Sequence, residues 1–459
     1  MIFKRYFIHI KENICASLAA ITLLTFCACT QTAEPPHQTG SSQNTDGKVQ
    51  EGAIKFSKSA GFYPENSITV DLEAADGWDI YYTTDCSSPS PENGGSIKYS
   101  EPITIMDKSS ENGSEDKVTV IRAAAVKNGS IGKIYTSTYI LNGSAQKFAD
   151  RYGGLGVFSI NTDNKYLFGD EGIYTNYTEH GRETERAASV EFFEVGGSCE
   201  VSMQAGIRIY GGTSRGLAQK SLKITARKEY GDAGKFKYAF FENNNDKNGN
   251  LIEEYDTVIL RAGGNDSLLT GERSTQLRDV LVHTVAMDID NLSSQAGRPV
   301  VLYLNGNYWG LYFLREDLDD DYIESHYKVD KNNIAILTYG HENGNWFYKL
   351  DEGTEADQKN YQQMLAYIIG HDMKNSSYYS EACKMLDIDN FIKYMALNIY
   401  VNNRDWPHNN VRMWRYIGTA DSSNQYTDGK WRFMIKDTDF SMGRYYAPGQ
   451  PENVVSWAT

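Results

Sequence analysis

The sequence predicts an α+β protein in which a small all-β, immunoglobulin-like sandwich precedes a larger two-lobed unit. Three observations predict it. Short alternating runs separated by Gly, Asn and Ser fill Ile54 to Leu141. Strand-like segments with one helical period follow, as far as about Glu316. Helical periods then take over at 355–370, 376–385 and 387–401, before two closing strands. At 459 residues the chain is long for one core and suits two domains and a leader.

The leader comes first. Lys4, Arg5 and Lys11 form a positive start, and the apolar run Ile14 to Ala28 is too short to span a bilayer as a stable helix. It ends in Phe26-Cys27-Ala28-Cys29, which resembles a bacterial lipoprotein signal. The resemblance implies a signal peptide over 1–28 and a lipidated Cys29, with small Ala28 at the cleavage position. The protein is then exported and lipid-anchored to the outer face of the bacterial cell membrane; an ordinary secretory signal would instead release it. Residues 29–52, rich in Gln, Thr, Ser and Gly, read as a disordered tether.

Composition narrows the classes. With 45 Lys and Arg against 60 Asp and Glu, interspersed along the chain, the net charge of −15 excludes a nucleic-acid binder, which needs clustered cations. The 32 tyrosines fit strand-rich extracellular domains. Beyond the leader only Cys86, Cys199 and Cys383 remain, too scattered for a disulfide framework or a zinc site.

The sandwich is placed at 53–145, with strands at Ser67–Val70, Asp79–Tyr82, Thr119–Ala123 and Tyr135–Ile140. Gly61-Phe62-Tyr63, Ile80-Tyr81-Tyr82-Thr83-Thr84-Asp85, Tyr99-Ser100-Glu101-Pro102-Ile103 and Val120-Ile121-Arg122-Ala123 resemble the chitobiase/β-hexosaminidase C-terminal-type module. That resemblance implies a spacer; binding of cell-wall glycan is the lesser alternative.

The second unit covers 150–459. Its strands are read at Gly156–Ile160, Ala188–Phe193, Gly206–Tyr210, Ser221–Ala226 and Thr257–Arg261, and its helix at about Thr275 to Asp290. Asn305-Gly306 marks a hairpin between Arg298–Leu304 and Tyr308–Glu316. Val411–Ile417 and Lys430–Ile435 read as a short two-stranded insert in a helical lobe. This is how a protein kinase is laid out.

The chemistry sits after the apolar helix Phe391 to Tyr400. Arg404, Asp405 and Asn410 have the R-D-x-x-x-x-N spacing of a kinase catalytic loop, with Asn403 where that loop has His. The aspartate accepts the proton of a substrate hydroxyl, and the Asn five residues on turns back to a metal. A strand follows, then a second one ending in Asp437-Thr438-Asp439, whose hard oxygens suit Mg²⁺.

Gly206-Ile207-Arg208-Ile209-Tyr210-Gly211-Gly212, Leu260-Arg261-Ala262-Gly263-Gly264-Asn265-Asp266, Leu277-Arg278-Asp279, Tyr303-Leu304-Asn305-Gly306-Asn307-Tyr308-Trp309-Gly310 and Asp405-Trp406-Pro407 occur in the order found in the spore-coat-protein-H (CotH) kinase family. The chain resembles that family over about 270 residues, from Leu167 to the end. The resemblance implies an atypical kinase that moves the γ-phosphate of ATP, with Mg²⁺ or Mn²⁺, to a secreted, surface or spore-coat protein. Asp405 would be the catalytic aspartate, Asn410 and Asp437 metal ligands, and Asp439 a further one. The Gly211–Gly216 turn is a candidate phosphate cover; Arg215, Lys220 and Lys223 are the candidate nucleotide-binding cations and Glu316 the hinge contact. No strand-lysine to helix-glutamate pair can be placed. The chain stops 20 residues past Asp439, so a shortened member is expected. The alternative to an active kinase is a catalytically inactive kinase-like scaffold in coat or surface assembly.

Overall fold

A computed structural model describes residues 49–108, 117–141, 150–194, 197–231, 234–342 and 345–444. The signal peptide, Cys29 and most of the expected tether lie outside the described residues. Among the described residues no helix is long and apolar enough to cross a membrane.

The N-terminal unit is all β. A six-stranded sheet runs in the order Gly61–Tyr63, Tyr135–Leu141, Thr119–Lys127, Asp79–Thr83 and Ile97–Lys98, with Ser130–Ile131 beside the long central strand. Two strand pairs, Ile54–Phe56 with Leu72–Ala74 and Ser67–Val70 with Ile103–Met106, complete it. The alternation that marks such strands puts Ile68, Val70, Ile103, Ile105, Ile121 and Ala123 into one core.

The C-terminal unit opens with a barrel that the sequence did not foretell. Its strands are β1 (Gly156–Asn161), β2 (Arg186–Phe193), β3 (Cys199–Tyr210) and β4 (Ser221–Thr225). The short pair β5 (Phe236–Lys237) and β6 (Glu254–Tyr255) follows, then β7 (Thr257–Arg261), β8 (Gly297–Leu304) and β9 (Asn307–Glu316). Seven of these close in the order β1-β2-β3-β4-β7-β9-β8. Closure comes from the parallel pairing of β1 with β8, Gly156 opposite Val300, which leaves the sheet no free edge. Ile207, Ile209, Leu222, Ile224, Val258 and Leu260 fill the interior. The residues between them, Arg208, Tyr210, Lys223 and Arg261, therefore stand on the outside of the wall.

Helix α1 (Arg278–Met287) packs on the outside of the barrel. Beyond β9 come α2 (Asp320–Tyr327), the hairpin β10 (Ile334–Glu342) and β11 (Asn345–Glu352), and the helices α3 (Glu355–Gly370), α4 (Ser376–Met385) and α5 (Ile388–Tyr400). Strands β12 (Val411–Tyr416) and β13 (Arg432–Met434) are the last strands among the described residues. The expected two-stranded insert is in fact a four-stranded sheet, β11-β10-β12-β13. The Gly and His interrupting β10 and the charges along β11 hid that hairpin; pairing with β12, Ile336 opposite Trp414, holds it. The protein is thus a mixed α/β chain with few helices and a β-rich N-terminal region.

The two units share an apolar seam of Cys86, Val118, Val120, Ile140, Tyr152, Val157, Phe193, Val301 and Tyr303. One carboxylate is buried there. Glu191 accepts hydrogen bonds from the backbone N–H and hydroxyl of Thr138. Burial pushes its pKa up to about 7, against the pull of those bonds.

Candidate functional site

The loop after α5 is shaped by its own side chains. Asn402 takes a left-handed conformation at φ 53° and breaks the helix. Asn403 is buried; its amide donates to Asn398 Oδ1, and its own Oδ1 accepts from the Asp405 N–H. The Asn in the usual His position thus acts as a backbone anchor. Trp406 is buried to 1% exposure, with its Nε1 donating to Tyr394 Oη at 2.8 Å. Asp405 is left partly open, with 23% of its side chain exposed.

The sequence-predicted pair meets. Asn410 Nδ2 donates to Asp405 Oδ2 at 2.8 Å, and Asn409 Nδ2 does so at 3.0 Å. His408 Nε2 lies 3.5 Å from Asp405 Oδ1. Burial raises the pKa of Asp405, and the neighbouring charge of Asp437 adds to the rise, while Asn409, His408 and Asn410 oppose it. Asn410 has φ 56° and Asp437 φ 46°, so both backbones turn sharply here.

Asp437 and Asp439 belong to a network the sequence did not show. Arg261 Nη2, at the end of β7, donates to Asp437 Oδ1 at 2.6 Å and to Asp439 Oδ2 at 3.1 Å. Its Nε lies 3.3 Å from Asp279 Oδ2 on α1. Asp279 also accepts from Arg315 Nη1 at 2.6 Å and from the Thr438 N–H at 2.8 Å. Arg261–Asp279 is thus a strand-cation to helix-carboxylate pair, the kind of link that could not be placed from sequence. The sequence offered a signal: Asp279 and His283 put polar, titratable side chains on an otherwise apolar helix face at i and i+4.

The two metal candidates differ in access. Asp437 keeps 31% of its side chain exposed, whereas Asp439 keeps 2%. Asp439 Oδ2 is held by Arg261 and by the Asn265 N–H at 2.8 Å. A Cβ on Gly264 would stand 2.5 Å from that oxygen, and its φ is +55°, so only glycine fits this approach. Asp439 therefore holds the Gly264–Asn265 turn, and Asp437 is the more open of the two candidate ligands.

Whether these residues suit a divalent cation can be judged from their charge. Asp437 raises the pKa of both Asp405 and Asp439, a repulsion that a bound cation would relieve. The amide nitrogen of Asn410 faces Asp405, which leaves its Oδ1 for a metal. The donors are hard oxygens, and they fit Mg²⁺.

The expected nucleotide cations lie differently. Arg215 is buried and donates to the carbonyls of Tyr177, Ile209 and Glu179. Lys220 donates to the carbonyls of Arg215 and Leu217 and sits 4.2 Å from the Tyr177 ring centroid. Both are engaged with backbone carbonyls around the Gly211–Gly216 turn. Lys223 pairs with Asp317, just beyond β9. Glu316 is buried, accepting from Asn244 Nδ2 and the Ala296 N–H and meeting His326 Nε2 at 2.8 Å. It fixes the crossing between barrel and lower sheet from inside.

Three groups near the crossing carry no local sequence signal. Asp317 lies within electrostatic reach of Lys223, Arg412 and Arg208. Arg412 donates to Leu318 O, Thr338 Oγ1 and Asp351 Oδ2. Lys436 precedes Asp437, and burial, then Arg412, pushes its pKa down to about 8. A cavity of about 620 Å³ opens beside Asp317, lined by Asp256, Asp319, Asp321 and Glu324; its wall contains neither Asp405 nor Asp437 and is too acidic to attract phosphate.

A barrel and an antiparallel sheet bring a partly open aspartate, its Asn partner and a partly exposed carboxylate to one junction. Comparison with known families agrees in outline. The family model described as CotH kinase protein matches residues 207–455, more than half of the chain, and the chain belongs to that family. The model described as Fn3 associated matches residues 68–139, within the N-terminal sandwich. No curated protein matches the chain.

Proposed function

We propose that the protein is an active atypical kinase that transfers the γ-phosphate of ATP to a hydroxyl of a surface or coat protein. The observation that carries this is Asp405: a partly exposed carboxylate, gripped by Asn409 and Asn410, within the field of Asp437. The barrel corresponds to the upper lobe of a kinase, and the four-stranded sheet with its helices to the lower. Asp405 accepts the proton of the attacking hydroxyl. Asn410 and Asp437 would hold Mg²⁺, which when bound would supply neutralisation of charge on the transferring phosphates. Arg261 and Asp279 fix the backbone at Asp437–Asp439 so that this carboxylate meets the loop in register.

The family membership supports a kinase-like enzyme using ATP and a divalent metal. The lipoprotein-type leader supports action outside the cytoplasm, on the outer face of the membrane, with the sandwich as a spacer or a glycan-facing module. The test separates the two aspartates. Asp405→Asn should still be thermally stabilised by Mg·ATP while losing roughly 10²–10⁴-fold in phosphotransfer; Asp437→Ala should lose both. A wild-type chain with neither response would favour the scaffold reading.

A further inference from the structure

The cations that the sequence offers for phosphate are already engaged. Arg215 and Lys220 hold backbone carbonyls, Lys223 faces Asp317, Arg261 is shared by three carboxylates, and Arg412 holds Asp351. The catalytic loop brings no Lys or Arg of its own between Asp405 and Asn410, only Trp406, Pro407, His408 and Asn409. A triphosphate placed against Asp437 would meet no available cation among these groups.

Lys436 is different. It lies between β13 and Asp437, so the strand that delivers the open metal-type carboxylate also delivers this ammonium. Its electrostatic neighbours are Arg412 and Lys349 on one side of the ledger of charge and Asp351 and Asp437 on the other. Asp351 is already bonded to Arg412, Lys349 and Thr338, and Asp437 to Arg261. Among the described residues Lys436 itself makes no hydrogen bond and no ion pair. A partly buried ammonium beside a guanidinium, with every nearby carboxylate engaged, costs free energy in the unliganded protein.

We infer that Lys436 is the lysine that binds the polyphosphate of the nucleotide, the role that sequence reasoning gave to Lys220 and Lys223. The inference rests on the phosphotransfer reading. A lysine suits the task because its ammonium is a compact charge with three donors on a flexible stem and can follow a phosphate chain. Placed next to Asp437, it would hold the same phosphates that the metal neutralises.

The experiment is calorimetric titration of the full chain with Mg·ATP, Mg·pyrophosphate and adenosine, alongside melting curves without ligand. Lys436→Met should weaken binding of the two phosphate ligands by roughly 10- to 100-fold. It should leave adenosine binding unchanged and leave the unliganded melting temperature equal or higher. Lys436→Arg should keep most of the affinity, and Lys436→Gln repeats the test if the Met variant folds poorly. Lys436→Met binding Mg·pyrophosphate as tightly as the wild type would overturn this assignment alone. A wild-type chain that binds neither phosphate ligand would overturn it together with the phosphotransfer reading.

Discussion

Asp279→Asn tests whether the charge network behind Asp437 holds the site together. Asp279 is 5% exposed and sits between two guanidiniums, Arg261 and Arg315, the latter 1% exposed. Those cations hold its pKa far below the usual carboxylate value of 3.8, against the opposing effect of burial. A depressed carboxylate contributes stability that is present above its unfolded value and is lost only as pH falls through the folded one. At neutral pH the whole contribution is in place. An amide of the same shape keeps the Thr438 contact but leaves Arg315 without its carboxylate, and breaking a buried pair in this way costs about 3–5 kcal/mol. For a unit of this size that corresponds to a fall of about 5–8 °C in Tm. Thermal and urea unfolding of wild type and variant, followed by tryptophan fluorescence, measure it. Because Arg261 and Thr438 position Asp437, Mg·ATP stabilisation should weaken as well. A variant with unchanged Tm would refute the idea that Asp279 organises this junction.

Three further outcomes are expected. The acid limb of kcat/KM should lie above the ordinary carboxylate value of 3.8, because Asp405 must be charged to accept a proton and burial raises its pKa. Asn409→Ala, which removes a bond favouring the charged form, should move that limb further up, as a pH–rate profile would reveal. At the seam between the units, Glu191 is raised from 4.5 to about 7. Its neutral form is the stable one, so stability should fall by up to about 3 kcal/mol as pH rises across that window. Glu191→Gln should flatten the dependence in urea unfolding; an unchanged slope would assign it to other groups. Finally, Cys29→Ser should release the protein from membranes or block its processing, and unaltered fractionation and mass would remove the lipid anchor from the account.

Much of the site is local and could be read from spacing. Asp405 and Asn410 are five residues apart on one loop, and Asn403, Trp406 and Asn409 shape that loop from within. The hairpin between β8 and β9 follows from Asn305-Gly306, whose φ values of 48° and 74° are those of a primed turn. Helices α3, α4 and α5 follow from apolar periods, each with a capping residue, Thr354, Asn375 or Asp387, at its start.

Closure of the barrel could not be read. It depends on the parallel pairing of β1 with β8, about 140 residues apart, and an apolar strand carries no mark of its partner. The fate of the cations was equally hidden. Arg215 and Lys220 stand beside a glycine-rich turn in sequence, yet the carbonyls of Tyr177 and Glu179 come round behind and claim Arg215. Arg261 meets Asp437 across 176 positions of chain. The sequence by itself therefore determined the candidate loop and the helix and strands around it, because a loop's spacing and a helix's period are local properties. Only the tertiary structure decided which charges are neutralised and which stay open, because a charge's partner is whatever the fold brings within a few ångströms of it.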